Sequence, residues 1–129
     1  MKKILVQGKT QGIILKSQHS INFLGTVDKK TGVISDKNHE LYDKSIKDKI
    51  LVFPNGVGSS VGAYTIYSIK SNNAAPLAMI CQIADLTVAT GCALANIPLV
   101  IITDEEFSSL QNGQKILLDT ESSTLITLL

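Results

Sequence analysis

The chain has 129 residues and a mass of 13.8 kDa, with 44% apolar, 5% aromatic and 18% charged residues and no Trp. That suffices for one globular domain with an aliphatic core, expected to span residues 1–129, and it excludes disorder as the main state. Twelve Lys against eleven acidic residues leave a net charge of +1, and without Arg there is no guanidinium for bidentate contact with phosphate or guanine, so no nucleic-acid partner is expected.

In chain order, Met1–Gly8 holds only Ile4-Leu5-Val6 as an apolar run after its lysines. That is too short for a signal peptide, and the expected compartment is the cytoplasm. Gly12–Leu15 and Ile21–Val27 read as short strands, and Asp28-Lys29-Lys30-Thr31-Gly32 is the turn of a hairpin into Val33-Ile34. Asp28–Lys49 carries six Lys, four Asp and one Glu, a mixed-sign solvated segment. Between Ile50 and Thr103 the only charges are Lys70 and Asp85, so this stretch builds the core. Lys49–Phe53 is a buried strand stopped by Pro54-Asn55-Gly56. Apolar spacings of three and four from Ser59 or Ser60 to Asn73 predict a helix with a serine N-cap and a left-handed Asn at its end. Leu77–Cys81 is the next strand and Asp85 the cap of a second helix through Ala95. Leu99–Ile102 is a third strand, Asp104–Leu110 a short helix, Gln111-Asn112-Gly113 a turn, and Lys115–Asp119 with Thr124–Leu128 a closing β pair. Alternating strands and helices imply a parallel right-handed unit whose loops gather at the carboxyl ends of the strands. Leu86–Thr103 has no charge, but its Thr, Gly, Asn and Pro residues divide it into helix, turn and strand, so no membrane is an expected partner.

Two cysteines, Cys81 and Cys92, lie in apolar surroundings far from His19 and His39. They read as buried reduced thiols, and no metal site made by this chain alone is expected. The histidines read as solvated, Tyr64 and Tyr67 as core or interface rings. One segment carries chemistry: Pro54-Asn55-Gly56-Val57-Gly58-Ser59-Ser60-Val61-Gly62, a glycine-rich loop between strand and helix. Its N–H groups and the helix dipole favour an anion. It lacks the Gly-Lys-Ser/Thr of a phosphate-binding loop, and no acid stands about twenty residues on to hold a ribose. By residue types alone, Ser59 as a helix cap beside a tight turn remains an open alternative.

Nearly the whole chain resembles the swivelling, small-subunit portion of aconitase X. Ile21-Asn22-Phe23-Leu24-Gly25-Thr26-Val27-Asp28-Lys29-Lys30-Thr31-Gly32 is similar to the family's Ile-Ser-Phe-Leu-Gly-Gly-Val-Asp-x-x-Thr-Gly. Gly56-Val57-Gly58-Ser59-Ser60-Val61-Gly62 is similar to its Gly-Arg/Lys-Gly-Ser-Ser/Thr-x-Gly. Ala75-Pro76, Ala89-x-Gly91 and Ile97-Pro98-Leu99-Val100 continue the match in order.

The resemblance implies an α/β fold of the swivelling β/β/α kind, a central parallel sheet flanked by helices with additional N- and C-terminal strands. It implies the small subunit of a two-chain hydro-lyase, active only with a large subunit that carries a [4Fe–4S] cluster. In that picture one open iron binds the substrate hydroxyl. Ser59 removes a carbon-bound proton, and Ser60 with the Gly56 and Gly58 backbone holds an anionic oxygen of a small hydroxy acid. The expected reaction is dehydration of (R)-5-phosphomevalonate to trans-anhydromevalonate 5-phosphate. Another hydroxy acid such as a hydroxyproline, or a non-catalytic anion-binding module, are the alternatives. Val57 stands where the family has a cation, Thr26 where it has glycine and Asn73 where glycine is usual. Lys70 or a partner lysine is the candidate replacement charge.

Overall fold

A computed structural model describes residues 1–128. The strands are β1 (Lys3–Val6), β2 (Lys9–Lys16), β3 (Ile50–Phe53), β4 (Ala78–Cys81), β5 (Leu99–Ile101), β6 (Lys115–Asp119) and β7 (Thr124–Leu128). The helices are α1 (Phe23–Thr26), α2 (Gly62–Ser71), α3 (Leu86–Ala95) and α4 (Asp104–Ser109). One sheet runs in the order β1-β5-β4-β3-β2-β6-β7. Strands β2 to β5 are mutually parallel, whereas β1, β6 and β7 each pair antiparallel with their neighbours.

Every residue of β3 and β4 is buried, which is why these strands read as continuous apolar runs rather than alternating ones. Successive side chains point to opposite faces of the sheet. Leu51, Phe53, Met79 and Cys81 meet Ile66, Ile69, Val88 and Cys92 of α2 and α3. Ile50, Val52, Ala78 and Ile80 pack on the other face with Phe107 of α4, Leu110, Ile116 and Leu118. Because β3 and β4 run parallel, the connections that follow them leave at the same rim of the sheet, where the candidate site lies.

The Asp28–Gly32 turn forms as its chemistry predicts. Asp28 Oδ1 accepts from Lys30 N at 2.8 Å and Thr31 N at 2.9 Å, and Asp28 N donates to Val33 O at 2.9 Å. The strand expected over Ile21–Val27 does not join the sheet. Isolated bridges connect Ile21 to Gly56 and Val27 to Ile34, and α1 is a kinked turn in which Leu24 is extended and Gly25 has φ +81°. The β-leaning residues that suggested a strand still mark burial: Ile21, Phe23 and Val27 all enter the core. Helix α2 begins at Gly62, and its N-cap Val61, one or two residues beyond the expected Ser59 or Ser60, has no side-chain cap bond. The preceding turn is tighter, with Gly62 N bonded to Ser59 O and Ala63 N to Ser60 O, a three-residue spacing that delays the α-helical ladder. Asn73 ends the segment at φ +59°, the left-handed conformation its type allows. Asp85 caps α3 by accepting from Val88 N at 3.2 Å, and Thr103 with Glu106 forms a capping box on α4.

Candidate active site

The β3–α2 loop is fastened on both sides. Toward the Ile21 segment, Ile21 N donates to Asn55 O at 3.1 Å and Val57 N to Ile21 O at 3.0 Å. Toward the β4–α3 connection, Pro54 O accepts from Gln82 N at 3.0 Å and Ile83 N at 3.1 Å. Gly58 adopts φ +97°, and a Cβ there would lie 2.5 Å from Asn22 Oδ1, so conformation and space both demand glycine. That Asn22 oxygen is buried without a hydrogen-bond partner.

Between these ties Ser59 stands exposed. Its hydroxyl accepts from Val61 N at 3.2 Å, and no carboxylate, imidazole or amine among the described residues is hydrogen-bonded to it. The N–H groups of Gly58, Ser59 and Ser60 have no acceptor among the described residues. Three consecutive donors before α2 are suited to an anionic oxygen. Gly56, expected to share in holding that anion, has a different task. It is buried, its N–H donates to Asp85 Oδ1 at 2.7 Å and its carbonyl accepts from Asn55 Nδ2 at 2.8 Å. Ser60 lies beside the loop in a groove of about 260 Å³ with Tyr64, Leu86, Thr87, Thr90 and Leu94. A larger concavity, about 760 Å³, is lined by Glu40, Lys44, Lys47, Lys49 and Asn112 and by none of the loop residues.

The rim is apolar and open. Val57 and Val61 are about half exposed, Ile83, Tyr64 and Leu86 more so. Tyr64 and Tyr67 are thus surface rings rather than core ones. Lys70 does not supply the missing cation. It lies in the last turn of α2, roughly 12 Å along the axis from Gly62 at 1.5 Å per residue. His39 is spent internally: Nε2 faces Ser20 O at 3.1 Å while Nδ1 accepts from Leu41 N at 3.0 Å, which assigns its proton to Nε2. His19 is 70% exposed and lies 2.9 Å from Glu40 Oε1.

Among the described residues no three His, Cys, Asp or Glu side chains gather as metal ligands. Burial pushes the Cys81 thiol well above its ordinary value and the Cys92 thiol up to about 12, with Asp85 adding to both. Such thiols resist the ionisation that iron ligation needs. These residues do not fit an iron–sulfur cluster.

The family model described as the aconitase X swivel domain matches residues 1–127. The chain belongs to this family. It is 43% identical over 121 residues to the phosphomevalonate dehydratase small subunit of Methanococcoides burtonii, covering 93% of this chain and 88% of that one. With the protein of the same name from Thermococcus kodakarensis it shares 43% over 118 residues, 92% and 87% of the two chains. The crystal structure of Thermococcus kodakaraensis aconitase X in its holo form superposes with a TM-score of 0.93 at 41% identity, covering 99% of this chain and 96% of that one. A solution NMR structure of a UPF0107 protein gives 0.88 at 32% identity, covering 99% and 97%. The seven-stranded mixed sheet is therefore the aconitase X swivel fold, as the sequence motifs implied.

Proposed function

We propose that this swivel domain, acting as one unit, is the small subunit of a two-chain phosphomevalonate dehydratase, with Ser59 as the base that takes the carbon-bound proton. The reaction removes that proton and the hydroxyl of (R)-5-phosphomevalonate and yields trans-anhydromevalonate 5-phosphate and water. The carrying observation is a site left half-built: an exposed Ser59 hydroxyl beside three unspent N–H groups, with no acid or imidazole hydrogen-bonded to it among the described residues. Serine is a weak base in bulk water, and its alkoxide gains from oriented donors and from exclusion of solvent. The Val61 N–H, which donates to Ser59 Oγ at 3.2 Å, supplies the first and a covering partner the second. The N–H groups of Gly58 and Ser60, with the positive end of α2, orient an anionic oxygen of the substrate.

The apolar rim of Val57, Val61, Leu86 and Leu94 supports a large partner subunit closing over Ser59. The names of the relatives, at 40–44% identity, support the same assembly and substrate. The iron–sulfur cluster implied by the family finds no ligand set here and is assigned to that partner. Val57 leaves the loop without its own cation, so any charge facing the substrate's anionic groups there comes from the partner.

The test is anaerobic co-expression with the cysteine-containing large chain, followed by assay with 5-phosphomevalonate. Turnover that needs both chains supports the reading. A stable complex that turns over a hydroxyproline instead overturns the substrate, and two folded chains that do not associate favour an anion-binding module.

A further inference from the structure

We propose that Asp85 is a positioning residue for Ser59, acting through the Gly56 peptide; the inference rests on Ser59 being the base. Asp85 divides its carboxylate between two tasks. Oδ2 accepts from Val88 N at 3.2 Å, which is all that capping α3 requires. Oδ1 accepts from Gly56 N at 2.7 Å, twenty-nine residues back along the chain. A serine or threonine would cap the helix equally well, so the second bond explains why a two-oxygen group stands here. It is also the shorter of the two.

The loop is shaped to receive it. A Cβ on Gly56 would lie 2.8 Å from Asp85 Oδ2 and 2.6 Å from Val88 Cγ2, so the start of α3 fills the space a side chain would take. The same turn reaches the far end of the loop, where Thr87 Oγ1 lies 3.5 Å from Ser59 O and Thr87 Cγ2 would sit 3.0 Å from a Cβ on Gly62. With Pro54 O held by Gln82 and Ile83, the β4–α3 segment grips the loop before and after Val57-Gly58. Ser59 thereby takes its position from α3 as well as from α2. Proton abstraction from carbon is sensitive to such placement, since a displacement of about 1 Å costs on the order of 100-fold in rate.

The discriminating variant is Asp85→Ser, which retains a capping oxygen for Val88 N but does not reach Gly56. In the assembled two-chain enzyme with 5-phosphomevalonate, kcat is expected to fall roughly 100-fold with KM little changed and assembly retained. Asp85→Ser combined with Ser59→Ala is expected to be no slower than Ser59→Ala alone, a non-additivity that a purely structural role would not produce. Should Asp85→Ser fail to assemble, Asp85→Asn, which keeps the size but accepts with only one oxygen, is read through the same cycle. Unchanged kcat in the assembled Asp85 variant, or two losses that multiply, overturns the proposal. A Ser59→Ala enzyme of full activity instead overturns the base assignment beneath it.

Discussion

The Asp28–Lys49 segment and the Pro54–Val61 loop are close in the chain and opposite in how they use their polar groups. The first is crowded with charge and carries a histidine, yet three of its acids and that histidine are bonded within the fold, while most of its lysines are solvent-exposed. Asp28 binds two backbone N–H groups of its own turn, Asp36 Oδ1 accepts from Asn38 N, and His39 uses both ring nitrogens. Glu40 accepts from the Ser17 hydroxyl and from Gln18 N and faces His19. The loop has no charged residue, but it leaves three N–H groups and a hydroxyl open beside exposed aliphatic side chains. Reactive residue types mark where chemistry is available; unspent ones mark where it is left for a ligand or partner.

Mutation should separate the two regions most sharply at Ser59. In the assembled enzyme Ser59→Ala is expected to lower kcat by roughly 10²–10⁴-fold, the usual range for losing a general base. His19→Ala, which removes the ring facing Glu40 of the charged region, should leave kcat unchanged; equal losses in steady-state assays would erase the distinction. Next is the rim, where Leu94→Glu keeps a good helix former but sets a charge against the partner. Association with the large subunit is expected to weaken by about 10–100-fold in a titration, or about 1.4–2.8 kcal/mol. Wild-type affinity would move the interface elsewhere.

On the closed side, Lys16 is 7% exposed and donates to Phe107 O at 2.5 Å and Leu110 O at 2.7 Å, with its ammonium 4.3 Å from the Phe107 ring centre. Burial pushes its pKa down while the Glu40 charge partly opposes the shift. Lys16→Met retains the apolar stem but strands two carbonyls, and urea unfolding should show a loss of about 1–3 kcal/mol.

The smallest effect concerns Glu40. Burial works against its charge, but hydrogen bonds from Ser17, Gln18 and His19 outweigh that and hold its carboxyl below the ordinary value of 4.5. A depressed folded pKa contributes stability that is present above the unfolded value and lost as pH falls through the folded one. Glu40→Gln should therefore flatten the acid limb of stability below about pH 4.5, and unchanged curvature across a pH series would show the carboxylate to be idle. The change should be slight because the side chain is 35% exposed.

Much of this was legible in local pattern. The stretch from Ile50 to Thr103, charged only at Lys70 and Asp85, announced the parallel core, Asp28 to Gly32 a turn, Asp85 a cap, and Lys115–Asp119 with Thr124–Leu128 a β pair. Each rests on turn chemistry, capping or periodicity within a few residues. The Ile21–Val27 segment departs from the strand expected of its β-leaning residues because residue type does not reveal whether a neighbouring strand offers a ladder, and Gly25 at φ +81° prevents one. The family resemblance named Ser59 as the candidate base, but which N–H its hydroxyl meets depends on where α2 begins, and the tight turn before Gly62 leaves it on Val61 N.

By itself, then, the sequence determined the family through its motifs, and the order of strands and helices from β3 onward with the loop that bears Ser59, because local preferences and hydrophobic patterning are written residue by residue. Tertiary structure decided that Gly56 is held by Asp85 rather than offered to a ligand, that Lys16 is buried against α4, and that Lys70 lies at the wrong end of its helix. These depend on backbone groups and side chains brought together across tens of residues, and strand order and helix packing, rather than residue type, settle which donor meets which acceptor.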